Sequence, residues 1–214
     1  MKTISDRLAV LSQRIDAARA PGQVVELVAV TKRFSASVAA DAVNAGCHDL
    51  GENYAQELEA KASELSEIGL APRWHMIGPV QRNKVKKIAA TVHLWHSVDR
   101  EAVLAEIAKR RPGSSVLIQV NFTGEDTKSG IVPAEIARMV ESGFSVGLDV
   151  RGLMTMGFTD TTRDPRPVFA ECRASVDSLG LDVCSMGMSG DFEVAIAEGS
   201  TMVRIGSAIF GPRP

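Results

Sequence analysis

The residues able to do chemistry stand at the ends of short apolar runs. Lys32 follows ELVAVT, Gly51-Glu52-Asn53 closes a second run, and His75 sits within RWHMIG. Asn121 ends a later run, and Arg204-Ile205-Gly206-Ser207 ends the last. The segment Ser185-Met186-Gly187-Met188-Ser189-Gly190-Asp191 precedes a helical pattern. A lysine amine can pair with an anion as a fixed charge or, when neutral, condense with an aldehyde to a Schiff base. Small residues in a turn that opens a helix, such as Ser189 and Gly190, let backbone N–H groups approach a phosphate. Gly206 and Ser207 can supply further donors. One ligand bearing both an aldehyde and a phosphate would use both features.

Each feature also has a plainer reading. A lone lysine after an apolar strand is ordinarily a solvated end. His75 can be a hydrogen-bonded core histidine, and SMGMSGD can be only a turn that caps a helix. The basic run Arg82, Lys84, Lys86 and Lys87 reads as a solvated helix face. Other chemistries find no motif. There is no G-x-x-x-x-G-K-[ST], no G-x-G-x-x-G spacing and no G-x-S-x-G elbow. His93 and His96 lie three apart on an expected strand, which would turn them to opposite faces and make a poor metal pair.

The elements that must position these residues alternate along the chain. Strands are expected at 26–31, 48–51, 73–77, 92–96, 115–121, 148–155, 182–185 and 201–205. Helices are expected at 37–45, 55–66, 81–89, 101–110, 133–141, 165–179 and 191–197. Strands joined by helical crossovers run parallel. An open doubly wound sheet is the competing architecture, but eight βα units favour a closed α/β barrel of the (β/α)8 TIM type. The chain after the last strand is too short for a full eighth helix. Ile4, Leu8, Leu11, Ile15 and Ala18 follow helical spacing, so an additional N-terminal helix is expected to fill that gap. No linker-like stretch divides residues 1–214, which are expected to form a single domain. In such a barrel the strand ends converge on one face, and closure sets strand eight beside strand one. Lys32 and the 204–207 turn then become neighbours.

Composition narrows the partners. Of 214 residues 45% are hydrophobic and 23% charged, enough apolar material for a substantial core. A formal net charge of −2 gives no reason to expect nucleic acid or an anionic membrane. No apolar run approaches the roughly 20 residues that span a bilayer. Charged residues interrupt the first 20 positions, unlike a signal peptide. Cys47, Cys172 and Cys184 form no C-x-x-C, which fits a reduced, cytoplasmic setting.

Seven blocks then coincide in order: AVTK (29–32), GENYAQE (51–57), WHMIGPVQRNK (74–84), QVNFTGEDTKSG (119–130), RGLMTMG (151–157), SMGMSGDFEVAI (185–196) and STMVRIGSAIFG (200–211). Together they resemble the YggS/PROSC family of pyridoxal 5′-phosphate (PLP) homeostasis proteins, over essentially the whole chain. The resemblance implies a barrel like that of alanine racemase, with PLP attached covalently to Lys32. It also implies phosphate contacts around Ser189, Gly206 and Ser207, and Arg204 facing the pyridine nitrogen. Asn53, His75 and Met188 complete the expected cofactor-binding set. Thr31-Lys32-Arg33-Phe34-Ser35 lacks the serine and later proline common in the lysine block, and Val80 replaces a usual leucine.

Two functions follow from the resemblance. An arginine at the pyridine nitrogen stays charged and only donates, so it holds that nitrogen unprotonated and weakens the ring as an electron sink. Racemases compensate with a second base supplied with help from an added β domain, for which this sequence shows no counterpart. The expected role is therefore a regulator or carrier rather than an enzyme. It would buffer or deliver PLP in vitamin B6 homeostasis, affecting amino-acid balance, with PLP-requiring apo-enzymes as candidate recipients and a monomer as the expected state. The alternative is a small PLP-dependent amino-acid racemase.

Overall fold

A computed structural model describes residues 3–212; Met1, Lys2, Arg213 and Pro214, included in the expected domain, lie outside the described residues. The elements follow the order α1 (Ile4–Ala18), β1 (Glu26–Val30), α2 (Ala36–Asn44), β2 (Asp49–Glu52), α3 (Ala55–Glu67), β3 (Arg73–Met76) and α4 (Arg82–Ile88). Next come β4 (Val92–Val98), α5 (Glu101–Arg110), β5 (Ser115–Gln119), a 3₁₀ turn (Pro133–Glu135) and α6 (Ile136–Ser145). The chain continues with β6 (Asp149–Met154), α7 (Arg166–Ser178), β7 (Val183–Ser185), α8 (Phe192–Ala197), β8 (Met202–Ile205) and α9 (Ser207–Phe210). The strands close into one barrel in sequential order, and all pairs are parallel. The open-sheet alternative is thereby excluded.

Strand alternation divides the apolar residues into two populations. Ala29, Leu50, Val116, Leu153, Val203 and their like face outward and pack beneath the helices. Val28, Leu94, Leu117, Met154 and Met202 face inward and fill part of the barrel. Val183 and Met156 pack against them, and His75, His96, Ser185 and Arg204 add buried polar groups to the interior.

The amphipathic first helix takes the place of the missing eighth. Thr3 and Asp6 form a reciprocal capping box at its start, and its buried stripe is Leu8, Leu11 and Ile15. It packs on α8, α9 and α2. Arg7 donates to the Ile209 carbonyl at 3.1 Å, and Arg14 forms a bidentate pair with Glu193. The segment after β8 still makes a short helix, α9, whose Phe210 ring stacks near Phe34, 5.1 Å between centroids.

Gly152 marks the tightest approach in the sheet. A Cβ there would lie 1.8 Å from the Val183 carbonyl oxygen, so any side chain forces β6 and β7 apart. Gly152→Ala is expected to destabilise the fold by at least ~1–3 kcal/mol, the usual cost of overpacking; urea unfolding followed by circular dichroism measures it.

Candidate functional site

The C-terminal ends of the strands bring together residues from both ends of the chain. β1 pairs with β8 in the register Val28↔Arg204 and Ala29↔Ile205. Because Val28 faces inward, alternation carries Lys32, just beyond the strand, to the inner side of the mouth, where it is half-buried. Gly206 lies against Val30 across the seam: a Cβ built on it would sit 3.4 Å from the Val30 carbonyl oxygen. The Ala208 amide donates to Ser189 Oγ at 3.4 Å, which joins the turn after β7 to the turn after β8. Among the described residues, no protein acceptor takes the amide N–H of Ser189, Gly190 or Ser207. Lys32 thus stands beside two touching turns with amides to offer an anion. This donor set fits a phosphate-bearing aldehyde.

The loop after β7 is held in shape by Asp191, whose Oδ1 accepts the Met188 amide at 2.6 Å. Met188 is partly exposed and lines a groove of about 640 Å³ with Phe158, Gly190 and Asp191. Asn53 is pinned below Gly78, where a Cβ would lie 2.3 Å from the Asn53 carbonyl oxygen. It borders a separate cleft of about 270 Å³ together with Tyr54, Pro79 and Lys84. Asn121 caps the long loop after β5, accepting from the Thr123 amide and donating to the Glu125 carbonyl.

Arg204 is buried in the barrel and faces neutral partners. Its Nη1 donates to Ser185 Oγ at 2.7 Å and its Nη2 to the Thr155 carbonyl at 2.9 Å. Burial pushes its pKa down to about 10, against the pull of Asp191, so it stays cationic at neutral pH. A polar chain continues from it. Ser185 Oγ is 3.1 Å from His96 Nδ1, His96 Nε2 is 2.9 Å from His75 Nδ1, and His75 Nε2 is 2.9 Å from Asp49 Oδ1. Arg73 completes it with a bidentate grip on Asp49. The charged ends dictate its polarity. Arginine only donates and carboxylate only accepts, so the protons run from Arg204 to Ser185, His96, His75 and Asp49. Burial first, and then the charge of Arg204, hold His96 well below the usual histidine range, consistent with a neutral ring that both donates and accepts.

His75, expected in the cofactor-binding set, lies within the barrel. Both its ring nitrogens are engaged inside the barrel. It lines a cavity of about 540 Å³ at the opposite, N-terminal mouth, with Glu26, His93 and Asp182. As the third residue of β3 it points inward, with the hydrogen bonds that the plainer reading of a core histidine calls for. The divergence expected of His93 and His96 is overturned, since both rings stand 5.1–5.7 Å from that of His75. A bulge is the reason. The register jumps from Trp74↔Val92 to His75↔Leu94, which leaves His93 as an extra residue and resets the alternation.

Sequence reasoning also missed an ion cluster behind Lys32. Lys61 Nζ lies 2.6 Å from Glu52 Oε1, 3.2 Å from Glu57 Oε2 and 2.8 Å from the Thr31 carbonyl. Thr31 Oγ1 donates to Glu52 at 2.6 Å, and the Arg33 amide donates to Glu57 at 2.8 Å. One signal was available: Lys61 falls on the buried stripe of α3, with Leu58 and Leu65.

A closed parallel barrel with a lysine after its first strand and anion-ready turns after its last two defines a class, and the model of the alanine racemase N-terminal domain matches residues 7–214. Within that class, the chain belongs to the pyridoxal phosphate homeostasis protein family. A protein of that name from Pseudomonas aeruginosa is 40% identical over 100% of this chain and 97% of its own length. One from Escherichia coli is 37% identical over 100% and 98%. Among solved structures, PipY of Synechococcus elongatus without PLP superposes with a TM-score of 0.85 at 31% identity, covering 98% of this chain and all of PipY. PipY with PLP bound gives 0.80 at 30% identity. A D-threo-3-hydroxyaspartate dehydratase from Delftia shares the fold at 20% identity, with this chain spanning 58% of its length.

Asp49 makes the polar chain testable by pH. Burial would raise its pKa, but the hydrogen bonds from His75 and Arg73 outweigh it and bring the group to about 2. A carboxylate depressed on folding contributes stability above its unfolded pKa of about 3.9 and loses it as pH falls toward the folded value. Asp49→Asn is therefore expected to be less stable than the wild type at pH 7, with the gap closing between about pH 4 and pH 2. Urea midpoints across that range measure it; a gap independent of pH refutes the assignment.

Proposed function

We propose that this chain holds PLP reversibly as a Schiff base on Lys32 and buffers or delivers it to PLP-requiring apo-enzymes in the cytoplasm, as a monomeric, single-domain carrier or regulator spanning residues 1–214. The observation that carries the reading is the juxtaposition, across the β1–β8 seam, of Lys32 with the Ser189–Gly190 and Gly206–Ser207 turns. PLP-bound PipY, 30% identical over 98% of this chain, supports it, as does the name shared by the full-length relatives. Among the described residues no helix is long and apolar enough to cross a membrane.

PLP supplies an aldehyde for the amine and a ring that draws electrons from bound amino acids. The chain's residues favour holding over turnover. The amides of Ser189, Gly190 and Ser207 bind the phosphate. Arg204, cationic and donor-only, faces the ring nitrogen and keeps a proton off it. Ser185 and the Thr155 carbonyl orient its guanidinium. Interconversion of alanine enantiomers at ordinary enzyme rates, roughly 1–10³ per second, would instead make the chain a racemase.

Lys32→Ala is expected to abolish the imine absorbance and the borohydride-fixed cofactor mass while far-ultraviolet circular dichroism stays unchanged, because the residue lies on the rim. Recovery of the fixed mass on another lysine would refute the attachment point. Arg204→Ala is expected to weaken cofactor retention on gel filtration and to shift the imine band; a variant with wild-type retention and spectrum would remove Arg204 from the ring nitrogen.

A further inference from the structure

We infer that the buried Lys61–Glu52–Glu57 cluster is the device that positions Lys32 for the cofactor, gripping the backbone on both sides of it from the helix layer. The inference rests on the attachment role of Lys32 proposed above.

β1 ends at Val30 with one further sheet bond, from the Thr31 amide to the Gly51 carbonyl, so alternation aims Lys32 at the mouth while the turn that follows lies outside the sheet. The turn beyond the strand has an awkward backbone: Arg33 has φ 64° and is the only non-glycine residue with positive φ among those described. Such a conformation persists only where surrounding contacts over-determine it. The cluster supplies them. On one side of Lys32, the Thr31 carbonyl accepts from Lys61 and the Thr31 hydroxyl donates to Glu52. On the other side, the Arg33 amide donates to Glu57. Lys61 binds both carboxylates and so ties the two grips into one unit.

Stability alone is a poor account of this arrangement. Lys61 is 5% exposed between Leu58 and Leu65, where an apolar residue would pack, and buried ion pairs are often no more stabilising than apolar replacements. Glu52 is fully buried, and that burial pushes its carboxyl up against the opposing hydrogen bonds from Lys61 and Thr31. The cluster's contacts converge on residues 31 and 33. Alternation places Thr31 and Glu52 on the outer face, toward α3, while Lys32 faces the mouth. The helix layer thereby holds the lysine's backbone without entering the cofactor's space.

The test compares the fraction of PLP that borohydride fixes to Lys32, titrated against PLP concentration, in purified full-length protein. Glu57 is half-buried in the first turn of α3, so Glu57→Ala preserves the fold. It is expected to lower the apparent association constant for fixation about tenfold, the equivalent of ~1.4 kcal/mol. Glu57→Gln keeps an acceptor for the Arg33 amide and is expected to stay close to wild type, a rescue that a generic loss of packing would not show. The pair Lys61→Met with Glu52→Gln removes the Lys61 bond to Thr31 and the tie between the two grips without leaving a fully buried charge, and is expected to keep its urea midpoint while losing fixation at least about tenfold. If that pair fails to fold, the two Glu57 variants decide. Wild-type fixation in Glu57→Ala and in any folded Lys61–Glu52 pair overturns the positioning role alone. A wild-type chain that fixes no PLP on Lys32 overturns the proposed function instead, a result read before any variant is compared.

Discussion

Closure of the barrel between β1 and β8 is the constraint on which everything else depends. That ladder joins strands from opposite ends of the chain and sets Lys32 beside residues 204–207. An open sheet with the same strands would leave the lysine on one edge and the 204–207 turn on another. Closure also demands an unbroken outer ring. The first helix meets that demand, bound to α8 and α9 through Arg14, Arg7 and the stripe of Leu8, Leu11 and Ile15.

Inside the barrel the physics changes with height. The apolar residues Val28, Leu94, Leu117, Met154 and Met202 share the interior with a directed chain of hydrogen bonds from Arg204 to Asp49. A buried guanidinium flanked only by neutral partners is costly. The chain lessens that cost by aligning each intervening dipole between a donor-only cation and an acceptor-only anion. It also fixes which nitrogen of His75 and of His96 carries a hydrogen, so the interior tolerates one arrangement of protons.

The architecture was legible in the sequence because its signals are local. Alternating apolar residues and helical spacing at Ile4, Leu8, Leu11 and Ile15 locate the elements, and their ends fall within two residues of those observed for most. The strand-end placement of Lys32, Ser189, Gly206 and Ser207 follows from the same local rule. The hydrogen bonds of His75 were not legible because they depend on its height within the barrel and on a bulge at His93, and neither leaves a trace in residue types. The chain linking Asp49, His75, His96, Ser185 and Arg204 was invisible for a related reason: its members come from five different strands, β2, β3, β4, β7 and β8, and meet only after closure. Lys61 was the exception. A lysine on the apolar stripe of α3 is a local anomaly, and it points to the buried carboxylate that the structure reveals.

The seam also governs the order in which the molecule can be completed. A ribosome releases β1 early and β8 after the other strands, and the first helix, apart from its contact with α2, lacks its outer-ring partners until α8 and α9 emerge. Pairings between segments so distant along the chain form late, because their loop-closure entropy must be met first. The mouth that joins Lys32 to Ser189 and Ser207 therefore does not exist on a nascent chain. Capture of a cofactor by this barrel has to wait for β8 to pair with β1.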